Sequence, residues 1–265
     1  MQTLRLPGGP WPLLPLLSAL GWAALGATDS VVALPAYCGS LGSLWGGVDG
    51  IGPRGLWLSV APSQLAMAWL AMLFAMMPML LLQPVDHLWR RSLARRRWRT
   101  IAVFLLGYFA IWAASAPILA AVAAALRTLG DGIAATAAAF ALASLWQASP
   151  LRQRCLNRCH AFPQLRAFGW RADLDGFRYG VAHGLACFGA CWAWMALPLV
   201  GDAYHLALMA LIGAMLALER QARSRPPVWR LPFAQALVVV RSRLLARHAT
   251  SRTASAHLAG EPRNA

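Results

Sequence analysis

Apolar residues in this chain are gathered into long runs rather than spaced along one face of a helix or strand. The runs at 11–27, 65–83, 101–126, 133–146, 179–200 and 204–218 carry almost no charge. A membrane-crossing helix needs about 20 mostly apolar residues. The fourth and sixth runs are short, and the fourth reaches full length by borrowing 130–132 and 147–149. The pattern predicts an all-α, polytopic membrane helix bundle, with six transmembrane helices within residues 1–220. Between the first two runs, residues 28–60 are rich in glycine and turn formers and read as an outside loop with little core of its own. In the tail, 221–265, Pro226-Pro227 ends the last helix. Phe233, Leu237, Val240 and Leu244 then share one face of a helix at about 231–247, too short to span and suited to lie in the membrane interface. The polar, small-residue end beyond it is expected to be disordered.

Composition agrees with the pattern. Hydrophobic residues make up 59% of the chain and charged residues only 12%, against roughly 25% charge in a soluble domain. All 24 basic residues are arginine. With the N-terminus placed in the cytoplasm, only Arg54 and Arg127 fall outside, and every other arginine falls in an inside loop or the tail. Both termini are therefore expected to be cytoplasmic. The first helix imitates a signal peptide, with Arg5 before an apolar run and Leu25-Gly26-Ala27 at its end. Cleavage there would leave five helices and force one terminus outside, against the arginines of the tail. Those arginines follow helix ends rather than one face of a soluble fold, so the net charge of +15 points to a lipid bilayer and not to nucleic acid.

Five cysteines carry the candidate chemistry. Cys38 lies in the outside loop with no outside partner for a disulfide. Cys155 and Cys159 stand four apart beside His160, a spacing that puts both thiols on one helical face, about 6 Å apart in rise. In the fifth helix His183, Cys187, Cys191 and Met195 recur every four residues. Thiolate, thioether and imidazole together suit Cu(I), and an imidazole inside an apolar helix requires a partner or cavity. His183 and Cys191 are separated by about 12 Å of rise, so one ion can take only an adjacent pair and must find further ligands on another helix. Met72, Met76 and Met77 of the second helix, crowded against Pro78, are candidates for that part, or else fill core space. The competing account is that Gly184, Ala186, Gly189 and Ala190 let helices pack closely and the cysteines merely pack with them. Glu219, ending the sixth helix, reads as an interfacial charge or as the counter-ion of an arginine or a metal.

The run from Leu145 to His160, with Gln147, Ser149-Pro150-Leu151, Cys155 and Cys159, resembles the signature L-Y-Q-x-[ST]-P-L-K-x-x-C-L-x-x-C-R. That signature belongs to the bacterial family of predicted metal-binding integral membrane proteins, a domain of unknown function with copper-chaperone-like character. Ala75-Met76-Met77-Pro78, preceded by Trp69 and Met72, resembles the W-x-x-M-x-x-A-M-M-x-P helix of that family. Gly180 to Met195 resembles its G-x-x-H-G-x-x-C-x-G-C-C-W-x-L-M, and Glu219 falls at its closing Glu. The likeness covers 65–220. It departs at Ala190, where the family has a cysteine, at Trp146 for Tyr, at Arg152 for Lys and at His160 for Arg, which adds an imidazole beside Cys159.

The resemblance implies a multi-pass protein of the bacterial inner (plasma) membrane that binds copper as Cu(I), with zinc as the alternative ion. Its implied ligands are Cys155, Cys159, His183, Cys187, Cys191, Met72, Met76, Met77 and Met195; His160, which departs from the family, is a further candidate beside Cys159. It further implies metal handling, with a copper enzyme or a metallochaperone as partner. A structural or assembly protein without metal, and a membrane thiol oxidoreductase using a cysteine pair, are the other readings. No Walker loop, nucleophile elbow or carboxylate cluster is present, so hydrolase and ATPase chemistry is not expected.

Overall fold

The computed structural model describes Gly9 and residues 12–29, 62–130, 132–200, 205–221 and 224–230. Cys38, the glycine-rich segment around it and the expected amphipathic helix at 231–247 lie outside the described residues. Within them the chain is helical without strands. Eight α-helices follow in order: α1 (Leu13–Asp29), α2 (Pro62–Met76), α3 (Leu82–Arg91), α4 (Arg97–Arg127), α5 (Gly132–Ala148), α6 (Pro150–Arg158), α7 (Gly169–Val200) and α8 (His205–Glu219). Short 3-10 turns at Pro78–Leu81 and Ala94–Arg96 lead into α3 and α4.

Proline breaks the helical path at two places, one inside the expected helix at 65–83 and one at the end of the expected helix at 130–149. The run 65–83 stops being α-helical at Met76, because Pro78 has no N–H and its ring crowds the preceding turn. The chain bends by 46° there and continues as α3. From α1, the Ser18 hydroxyl donates to the Ala75 carbonyl at this break, at 2.6 Å. The second break is at Ser149-Pro150. The Ser149 hydroxyl caps α6 by accepting from the Arg152 N–H, and Pro150 occupies the first helical turn, where its missing N–H costs nothing. A 68° bend separates α5 from α6 and lays α6 against α7.

Helices α4 and α7 form the centre of the molecule. Their backbones touch at glycines. A Cβ on Gly180 would fall on the Phe104 carbonyl, and one on Gly107 would meet the Phe177 carbonyl at 2.6 Å. Such contacts are how helices associate where side-chain hydrophobicity gives no drive. At one end of the pair, Arg96 and Arg99 both bind Asp173 at 2.7 Å. At the other, Arg127 donates to the Leu199 and Val200 carbonyls, satisfying orphan acceptors at the end of α7. The Asp173 pairs explain why α7 begins ten residues before the apolar run, at Gly169.

Two helices are long and apolar enough to cross a membrane: 94–127, counting the preceding turn, and Gly169–Val200. The number rises to four if each bent pair is one span. The remaining apolar helices, Leu13–Gly26 and Leu206–Glu219, are shorter. Large apolar side chains face outward along the helices, including Leu106, Ile118, Ile133, Leu145, Leu185 and Leu211. In a water-soluble domain such a belt would be an interaction surface.

Candidate metal centre

Helix α7 presents its four-residue row to the interior: His183, Cys187, Cys191 and Met195 are all buried. Cys187 reaches another helix through a phenol. The Tyr108 hydroxyl of α4 lies 3.3 Å from the Cys187 sulfur and 3.3 Å from the Met77 sulfur. A thioether can only accept, so the phenol donates to Met77 and the Cys187 thiol donates to the phenol. The two sulfurs therefore lie at most twice that distance apart. Cys191 donates its thiol to the Cys187 carbonyl one turn back, at 2.9 Å, and its sulfur is an electrostatic neighbour of Cys187.

The other methionines are placed differently. Met72 and Met76 are buried, and Met76 ends close to Gly213 of α8. Met195 is buried two turns from Cys187, about 12 Å along the helix, and so does not join Cys187 and Met77. His183 sits one turn from Cys187 among the rings of Phe104, Tyr108 and Tyr179, all about 6 Å away by centroid. Both of its ring nitrogens are buried without a hydrogen-bond partner.

The α6 cysteines do not present one shared face. The Cys155 sulfur is turned onto Gly189 of α7, where a Cβ would meet it at 2.6 Å. Cys159 lies just past the helix end, buried, with its thiol donating to the Cys155 carbonyl at 3.3 Å. It turns inward, within electrostatic reach of Cys187 and of Arg220. All four described cysteines are free. His160 has both nitrogens against carbonyls, Leu156 at 2.9 Å and Arg220 at 3.0 Å. In this arrangement neither ring nitrogen is open to a metal.

Sequence reasoning missed two features beside these thiols. The first is a buried polar chain: Glu219 binds the guanidinium of Arg152 and the amide of Gln147, Gln147 accepts from the Trp194 indole at 2.9 Å, and Arg152 donates to the Ala190 carbonyl at 3.3 Å. Glu219 is thus the counter-ion of an arginine and not an interfacial charge. Arg152, read above only as a replacement for Lys, is what it answers. The second is Tyr108, a phenol in the middle of an apolar run, whose position there was the available signal.

A cleft of about 650 Å³ opens beside α7, with Cys155, Arg158, Phe162, Arg178, Tyr179 and His183 among its lining residues. It connects the loop after α6 to the buried histidine. Among the described residues, no three His, Cys, Asp or Glu side chains are gathered to hold one ion. What comes together is sulfur: two thiols from α7 and the Met77 thioether just past α2, with the Cys159 thiol within electrostatic reach of the α7 thiols but not gathered with them.

Residues 66–242 match the model of a family described as PpoB2, copper chaperone. The chain belongs to that family. The match to the copper-chaperone family covers every described cysteine, His183, Met77 and the Arg152–Glu219 pair, and it runs past the last described helix. No curated protein and no solved structure matches the chain.

Proposed function

We propose that this copper-chaperone family member is an inner-membrane protein that holds Cu(I) and passes it on, serving the assembly of a copper enzyme. Six apolar helices, with both termini in the cytoplasm, are the arrangement the arginine distribution favours. The observation that carries the metal reading is the meeting of the Cys187 and Met77 sulfurs on the Tyr108 hydroxyl, with Cys191 one turn away. Cys187 and Cys191 supply two thiolates, and Met77 supplies a neutral third donor from a different helix. Sulfur ligands of this kind select Cu(I) over harder ions. The cleft gives access from the α6 side, with Cys155 in its wall and His183 at its inner end, both donors a soft ion could meet on the way.

Packing alone is a poorer account of the cysteines. The backbone contacts of α7 with α4 are made at Gly107 and Gly180, while Cys187 and Cys191 are turned to the Tyr108 hydroxyl and the Cys187 carbonyl. A disulfide oxidoreductase needs two thiols facing one another and open to a substrate. Cys155 and Cys159 turn to different neighbours, and Cys187 and Cys191, though adjacent, are fully buried. The test is the copper content of full-length protein purified under reducing conditions. Cys187→Ser and Cys191→Ser are each expected to remove most of the metal, His183→Ala to weaken binding moderately, and Cys38→Ser to remove none. Unchanged copper in a folded Cys187→Ala/Cys191→Ala double variant would sink the assignment.

A further inference from the structure

Charges around the thiol cluster do not balance. Among the described residues, the buried side chains of full charge are Arg152, Glu219 and Arg220. Glu219 is bound to Arg152. Arg220 follows it in the chain, more than nine-tenths buried, and its Nη1 has no hydrogen-bond partner. The guanidinium faces sulfur instead: the thiols of Cys159, Cys187 and Cys191 all lie within its electrostatic reach. Glu219 lies within reach of both arginines but carries one negative charge against two positive, and the positive charge left over is costly in a low-dielectric interior. The surrounding fold therefore has to supply a compensating negative charge when the site is in use.

Resting on the copper reading above, we infer that Arg220 is the counter-charge of the loaded site and makes it select monovalent over divalent soft ions. Two thiolates around one Cu(I) carry a single net negative charge, and the Met77 thioether adds none. Arg220 brings that complex to neutrality. The same two thiolates around Zn(II) are already neutral, so Arg220 leaves a buried positive charge that this pair of ligands does not answer. The discrimination is electrostatic and does not depend on cavity size. It works between two ions that both prefer sulfur, where ligand softness gives little choice. Each thiol gives up its proton on ligation, and no electron moves.

The experiment uses the full chain in lipid nanodiscs. It is titrated with Ag(I), a redox-stable monovalent stand-in for Cu(I), and separately with Cd(II), whose thiolate absorption reports binding directly. The readout is the ratio of the two affinities. Arg220→Gln is expected to weaken Ag(I) by about tenfold or more while leaving Cd(II) unchanged or tighter. Arg220→Lys keeps the charge and is expected to keep the wild-type ratio. An unchanged ratio in Arg220→Gln, or parallel loss of both ions, overturns the inference. A folded Arg220→Lys protein that has lost its preference does so too, and it decides the matter if the Gln variant fails to fold. Wild-type protein that takes up neither Ag(I) nor Cu(I) removes the copper reading itself and this inference with it, a result distinct from an altered ratio.

Discussion

Replacing Glu219 with Gln keeps the shape of the side chain and removes its charge. Arg152 then stays buried without a counter-ion, since both partners of the pair are almost fully enclosed. Breaking a buried ion pair from one side costs about 3–5 kcal/mol, most of it the desolvation of the charge left behind. The loss is asymmetric here. Glu219 also feels Arg220, so removing the carboxylate strands two cations, whereas Arg152→Gln leaves a carboxylate that still faces one. Glu219→Gln is expected to fall at the upper end of that range and Arg152→Gln below it, at about 2–3 kcal/mol. The apolar double variant Arg152→Met/Glu219→Leu is expected to recover to within about 1–2 kcal/mol of the parent. Unfolding in mixed micelles, followed by tryptophan fluorescence, measures all three. Trp194, whose indole hydrogen bonds to Gln147 at the centre of the chain of contacts, contributes to that signal along with the other tryptophans. A Glu219→Gln loss below about 1 kcal/mol, or an Arg152→Gln variant less stable than Glu219→Gln, would refute the reasoning.

Other expectations follow from the same geometry. Gly180→Ala puts a methyl on the Phe104 carbonyl and must separate α4 from α7, at a cost of about 1–3 kcal/mol, whereas Gly176→Ala meets Thr100 at an ordinary 3.5 Å and is tolerated; equal thermal stability of the two would contradict the close approach. A membrane-impermeant thiol reagent is expected to label Cys38 from outside, and Cys155, which lines the cleft, only once the inner face is opened. Labelling of Cys155 in sealed cells would reverse the orientation. Because thiolates rather than thiols bind the ion, loading releases protons and weakens as pH falls, which titration in weak buffer detects as acidification.

Much of the helical scaffold could be read from hydropathy, because long uncharged runs leave the backbone no alternative to helix. The run at 101–126 became α4 and that at 204–218 became α8 with ends shifted by four residues or fewer. Breaks and extensions were harder to read. Pro78 was visible, but the sequence does not say whether a proline kinks a helix or ends it, and here a 3-10 turn intervenes. Helix α7 begins in a charged stretch, because Asp173 is held by two arginines more than 70 positions earlier. At the candidate site, spacing along one helix put Cys187 and Cys191 on a common face. Spacing is silent about partners across helices, so Tyr108 went unnoticed and Met77 could not be separated from Met72 and Met76. The same periodicity gave Cys155 and Cys159 a shared face, but α6 ends at Arg158 and Cys159 turns away from it.

The Ser149-Pro150 bend has a consequence for the order of assembly. By folding α6 back along α7, it commits Arg152 to the interior before the chain has supplied anything to balance it. Glu219 and Arg220 stand at the end of the last described helix, so they leave the ribosome after every cysteine, methionine and phenol of the cluster. Without α8, Arg152 would be a buried cation with no partner, which disfavours burying α6 and the Cys159 that follows it. The last described helix therefore completes the polar chain: its carboxylate neutralises Arg152 and lets α6 be buried against α7. In a chain built this way the sulfur ligands and the carboxylate that lets them be enclosed belong to one interior. A fold lacking the last described helix would not hold a soft ion in the same place.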